Sequence, residues 1–104
     1  MTVKITQQIE QTAPAEYAVT LTMNGEHYST DVFQRGNAVF PAYRTLMNAM
    51  YDIEDCALHV LTDSAPLVRE FNGTPNPNAT MLRNLNDVIA QQGLTVSIEY
   101  KNGN

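Results

Sequence analysis

A chain of 104 residues has room for one domain with a sizeable core, here residues 1–104, and none for a second. Its 43% apolar and 16% charged residues exclude a disordered chain, and no apolar run approaches the roughly 20 residues of a membrane span. Six basic against eleven acidic residues leave a net charge of −5, with no basic run, which argues against tight nonspecific binding to phosphate backbones but leaves a local groove open.

Thr2 to Ile9 alternates Val3 and Ile5 with Thr2, Lys4 and Thr6, the pattern of a half-buried strand. Thr12-Ala13-Pro14-Ala15 reads as a turn. Tyr17, Val19, Leu21 and Met23 then alternate with Ala18, Thr20 and Thr22, the clearest strand in the chain. It ends at Asn24-Gly25, which suits the positive φ angles of a type I′ hairpin turn, and Glu26 to Phe33 returns as its partner. After the loop Gln34-Arg35-Gly36-Asn37, Pro41 fits the first turn of a helix. Tyr43, Leu46, Met47, Met50 and Tyr51 recur at helical spacing and carry that helix to about Ile53. Asp52, Glu54 and Asp55 close it at the unfavourable end of the helix dipole, a solvated corner or else a metal or partner site.

Ala57-Leu58-His59-Val60-Leu61 is a nearly unbroken apolar run, as expected of a strand covered on both faces. Thr62-Asp63-Ser64 follows, with Ser64 a capping residue and Pro66 in the first turn of a short helix bearing Leu67, Val68 and Phe71. Asn72-Gly73 ends that helix. The loop Thr74-Pro75-Asn76-Pro77 leads to Asn78 as N-cap of a helix from about Ala79 to Gln92, with Gly93 as its stop. Leu94, Val96, Ile98 and Tyr100 alternate in a last strand, and Lys101 to Asn104 is a polar tail. The order β-β-β-α-β-α-α-β, with helical crossovers before the last two strands, predicts an α/β (α+β) fold: a five-stranded mixed sheet with helices covering its faces.

Little in this pattern is overtly catalytic. Cys56 stands alone, which excludes an internal disulfide and fits a buried structural thiol in a reducing compartment. The N-terminus lacks the apolar core of a signal peptide, so the expected location is cytoplasmic, and the sequons at Asn72 and Asn78 then carry no meaning. Neither His27 nor His59 has a carboxylate or cysteine at ligand spacing. Ser29 and Ser64 lack evident His–Asp partners, and no phosphate loop or dinucleotide fingerprint is present. Asp63 is the exception. A carboxylate there falls at the carboxyl end of a buried strand, where open α/β sheets place their ligands. It reads as part of a helix cap, a weak metal site or a working catalytic ligand.

The element order and several short stretches resemble the ribonuclease H-like superfamily, in particular its plant and bacterial, reverse-transcriptase-like branch. Ala42-Tyr43-Arg44-Thr45-Leu46-Met47 looks like the start of that family's first helix, and Thr62-Asp63-Ser64 like its central Asp motif. Val68-Arg69-Glu70-Phe71-Asn72-Gly73 and Tyr100-Lys101-Asn102-Gly103-Asn104 resemble later turns, so the likeness spans nearly the whole chain. It implies cleavage of the RNA strand of an RNA–DNA hybrid by two divalent ions held by about four carboxylates. Of those carboxylates only Asp63 carries over. Thr6, Gln7 and Gln8 stand where the first is expected and Pro41 and Ala42 where the second is, while the last belongs to a helix after the final strand. The glycine-rich turn after the first strand is missing as well.

The expectation is a degenerate member of the superfamily, a pseudoenzyme and noncatalytic protein-interaction module with no cofactor. Its partner would be an unknown protein or a second copy, paired through the edge strand Glu26 to Phe33; a phage or mobile-element origin is a guess from its compactness. The alternative is a hybrid- or nucleic-acid-binding protein with weak or absent nuclease activity. There Asp63 would hold Mg²⁺ or Mn²⁺ with Glu10, Asp52, Glu54, Asp55 or a second chain, and Arg44, Arg69 and Lys101 would contact phosphates. A third reading makes the acidic residues a mimic of a phosphate backbone.

Overall fold

The computed structural model describes residues 2–34, 36–73 and 78–101. Arg35, the loop residues Thr74 to Pro77 and the tail residues Asn102 to Asn104 lie outside the described residues. Among the described residues, five strands form one sheet and three helices pack on it: β1 (Thr2–Ala13), β2 (Glu16–Met23), β3 (Glu26–Gln34), α1 (Val39–Met50), β4 (Ala57–Thr62), α2 (Ala65–Phe71), α3 (Ala79–Gln91) and β5 (Thr95–Tyr100). The spatial order is β3-β2-β1-β4-β5. The first three strands form an antiparallel meander, and β4 and β5 add in parallel beyond β1. The mixed sheet and the element order are those expected.

Side-chain alternation decides which face is the core. Val3, Ile5 and Gln7 of β1, Val19 and Leu21 of β2, Leu58, Val60 and Thr62 of β4 and Ile98 of β5 are all buried on one face. Against them pack Tyr43, Leu46, Ala49 and Met50 of α1, Leu67 of α2, and Leu85 and Val88 of α3. The helices also touch one another, α1 meeting both α2 and α3. Two crossovers that step the same way across the sheet, each right-handed, must put their helices on the same side. Covering helices on both faces were expected, and this is corrected: among the described residues the other face carries no helix. Hence Ala57, His59 and Leu61 are only half-buried, although the apolar run read as a strand covered twice. The open face is instead polar, with Thr2, Lys4, Thr6 and Gln8 of β1 aligned beside His59, which pairs with Glu99 at 3.1 Å and Ser97 at 2.8 Å.

Boundaries moved where side chains capture backbone groups. β1 runs four residues past Ile9 to Ala13, so the turn shrinks to Pro14 and Ala15. A bulge between Gln11 and Ala13 breaks the alternation that would have announced this extension. α1 begins two residues before Pro41, because Asn37 Oδ1 accepts the Val39 N–H at 2.9 Å and the Phe40 N–H at 3.4 Å. It ends at Met50, where Asp52 and Ile53 donate to Ala49 and Met50 in a tightened last turn. Asn24 (φ +53) and Gly25 (φ +85) make the expected type I′ turn, and Gly93 (φ +66) stops α3. Asn78 takes the N-cap position of α3, but its side chain donates to Glu70 instead of capping the helix.

A capped strand end and a cavity at Asp63

β1 outlasts its parallel neighbour. Their pairing runs from Thr2 opposite Ala57 to Gln7 opposite Thr62, where β4 ends, while β1 continues against β2 alone. The Ile9 N–H therefore faces the β4 side with no strand carbonyl to receive it, and an unpaired backbone donor is costly. Asp63 supplies the acceptor: Oδ1 and Oδ2 lie 3.0 and 3.1 Å from the Ile9 nitrogen. Ser64, the next residue, caps α2, its hydroxyl accepting the Leu67 N–H at 3.4 Å. One dipeptide thus closes a strand and opens a helix.

Beneath this corner lies a buried neutral network. Gln7 is fully buried; its Nε2 donates to the Ala42 carbonyl and to Thr45 Oγ1, each at 2.9 Å. Its Oε1 accepts from Thr62 Oγ1 at 2.6 Å, and Thr62 Oγ1 in turn accepts the Ser64 N–H at 3.0 Å. Thr45 Oγ1 donates back to the Pro41 carbonyl at 2.8 Å. Amide and hydroxyl groups link β1, β4 and the first turn of α1 without a charge. Gln7 holds the inward place that follows Val3 and Ile5, so its burial was legible in the alternation.

Beside Asp63 opens a cavity of about 290 Å³. Ile9 and Gln11 of β1 and Tyr17 of β2 form one wall; Ala38, Val39 and Pro66 form the other, with Asp63 and Ser64 between them. Asp63 is the one acid among these described lining residues. Glu10 alternates onto the opposite face of β1. Asp52, Glu54 and Asp55 precede β4, one strand length of about 20 Å from Asp63 at about 3.3 Å per residue. Among the described residues no three or more His, Cys, Asp or Glu side chains stand together as a metal site. Asp52 accepts a hydrogen bond from the Tyr28 hydroxyl; that bond, more than the partial burial of the ring, pushes the phenol up to about 12.

The three basic candidates do not converge on Asp63. Arg44 lines a separate groove between α1 and α3 with Met47, Tyr51 and Asp87. Arg69 is exposed in the last turn of α2. Lys101 is nearest in the chain trace, its N–H donating to the Thr62 carbonyl at 2.6 Å, yet among the described residues none of the three lines the cavity.

The sequence reading missed a buried carboxylate. Glu70 is 6% exposed; Tyr43 donates to its Oε1 at 2.7 Å and Asn78 to its Oε2 at 3.0 Å. Burial, then the Glu70 bond, drives the Tyr43 phenol well above its usual range. The signal was present: Glu70 falls three residues after Leu67, on the buried stripe of α2.

The backbone arrangement has clear counterparts. The chain is similar to a ribonuclease H1 isolated from compost, crystallised with an RNA/DNA hybrid, at 13% identity and a TM-score of 0.69 over 95% of this chain and 86% of that one. It is similar to the N-terminal ribonuclease H domain of a Mycobacterium tuberculosis protein at 14% identity and a TM-score of 0.72, over 98% and 88% of the two chains. The chain has a ribonuclease H-like fold. Ribonuclease H1 of Halobacterium salinarum gives the same ribonuclease H-like match, at 15% identity and a TM-score of 0.63 over 97% and 87%. No protein-family model matches the sequence, and neither does any curated protein. In this fold Asp63 directly follows the carboxyl end of β4, the strand next to the central β1.

Proposed function

We propose that this chain is a noncatalytic interaction module on a ribonuclease H-like fold, with a protein as its partner. The observation that carries the reading is the bond between both oxygens of Asp63 and the Ile9 N–H. Two hard divalent cations need several oxygen ligands held close together. The corner around Asp63 offers one carboxylate, already engaged, above the neutral Gln7–Thr45–Thr62 network. That donor set does not fit a pair of such ions, so no step through a metal follows from it. Negative net charge and a free edge at β3 suit association with another polypeptide, a second copy included.

The competing reading is hybrid or nucleic-acid binding, with Arg44, Arg69 and Lys101 as phosphate contacts. It draws on the fold likeness to an enzyme crystallised with an RNA/DNA hybrid and on Lys101 following the strand beside β4. Cleavage and retention of a labelled RNA–DNA hybrid, with Mg²⁺ or Mn²⁺ at low salt, separate the two. The module reading predicts neither for the wild type. Metal-dependent cleavage abolished in Asp63→Asn would overturn it, and salt-sensitive retention weakened by Arg44→Ala, Arg69→Ala or Lys101→Ala would favour the hybrid reading.

A further inference from the structure

We propose that the cavity beside Asp63 receives the guanidinium side chain of an arginine presented by a partner polypeptide. The inference rests on the interaction-module reading and names the chemistry of that partner. Three features of the cavity converge on it. The first is charge. Asp63 spends its two oxygens on a single N–H donor, whereas a carboxylate offers about four lone-pair sites, so acceptor capacity remains on a half-buried anion. A planar, two-pronged donor makes the fullest use of a carboxylate, and guanidinium supplies it where ammonium does not.

The second feature is the wall. Ile9, Val39 and Pro66 are apolar, and Tyr17 adds an aromatic surface. An arginine brings three methylenes to cover such walls and a flat cation that stacks on a ring. A divalent ion or a phosphate would leave them unmatched, and the single formal charge on the lining repels phosphate. Gln11 adds a polar rim: its N–H₂ donates to the Pro14 carbonyl at 3.1 Å, which leaves its own carbonyl oxygen to accept from a guanidinium. The third feature is size. About 290 Å³ lies at the lower limit of ligand pockets, roughly 300 Å³, and suits one side chain rather than a nucleotide strand. The net charge of −5 favours encounter with a basic partner, and Asp63 is the charge that marks this cavity for it.

Amide chemical-shift titration of the ¹⁵N-labelled chain with N-acetyl-arginine amide tests this directly. N-acetyl-citrulline amide, its neutral isostere, serves as the control. Saturable shifts are expected at Ile9, Val39 and Ser64, with citrulline bound about tenfold more weakly or worse. Asp63→Asn keeps an oxygen for the Ile9 N–H, so the fold survives while arginine affinity falls about tenfold. Val39→Phe fills the cavity without touching the carboxylate, and is expected to block binding as well. Equal response to citrulline, shifts confined to the exposed acids near Asp52 and Glu54, or no saturation would overturn the proposal. Absence of arginine binding together with absence of hybrid cleavage removes this inference alone; Asp63-dependent cleavage removes the module reading on which it stands.

Discussion

Asp63 shows how one side chain can be read two ways until its hydrogen bonds are known. From the sequence it was a helix cap, a metal ligand or a catalytic group; in the fold it is the acceptor for an N–H that β4 is too short to reach. The roles separate by substitution. Asp63→Ala leaves the Ile9 donor orphaned and is expected to lower stability by about 1–3 kcal/mol in urea unfolding, whereas Asp63→Asn, which retains an acceptor, loses less. Equal losses in the two variants would remove the capping account. Tyr28 gives a prediction in pH. Its phenol is raised from 10.0 to about 12 by the bond to Asp52, so the folded state holds the proton more tightly than the unfolded chain. That contribution is fully present below pH about 10 and is lost as pH rises toward about 12. Tyr43 is displaced the same way. Unfolding free energy should therefore fall above pH about 10, and fall less steeply in Tyr28→Phe, in a denaturation series across that range.

Among the elements, the contact between α1, α2 and the start of α3 depends on one buried acid. Tyr43 of α1 and Asn78 before α3 both donate to Glu70 of α2. Tyr43→Phe keeps the ring and removes the donor, leaving a buried carboxylate with one partner fewer. The expected loss is about 1.5–3 kcal/mol, that of a hydrogen bond to a charged group, read from the urea midpoint at unchanged slope. A loss below about 0.5 kcal/mol would mean that Glu70 is satisfied without Tyr43. These elements were legible in the sequence where periodicity was clean: β2, the Asn24-Gly25 turn and the Ser64 cap stand as read. On α1, Tyr43, Leu46 and Met50 are buried as expected, whereas Tyr51 falls just past the helix end and is exposed. What escaped was set by individual side-chain bonds and a register shift that periodicity does not report. The end of β1 was hidden by a bulge, and the first turn of α1 by Asn37 capping ahead of Pro41. Asn78 holds the N-cap position of α3 as read, but its side chain donates to Glu70, eight residues earlier, and makes no capping bond. The corner at Asp63 was foreseen as a place. Its chemistry was not, because the length of β4 relative to β1 is a tertiary fact.

At the scale of the molecule, three helices cover one face of the sheet, and among the described residues the other face is open and mostly polar. The order β3-β2-β1-β4-β5 runs the parallel pairing from the central β1 through β4 to the edge strand β5 and leaves β3 as the antiparallel edge. The middle of β1, at Gln7, and the carboxyl end of β4 meet the first turn of α1 close to the Asp63 cavity. In this chain that corner holds one engaged carboxylate over an uncharged network, which is why a ribonuclease H-like frame is proposed to recognise rather than cleave. The central claim is that Asp63 serves the backbone and not a metal. Amide paramagnetic broadening on titration of the ¹⁵N-labelled chain with Mn²⁺ tests it most directly. The account predicts no selective loss of the Ile9, Asp63 and Ser64 signals at Mn²⁺ concentrations that leave the rest of the spectrum intact. Selective, saturable broadening of those three amides, abolished in Asp63→Asn, would contradict it.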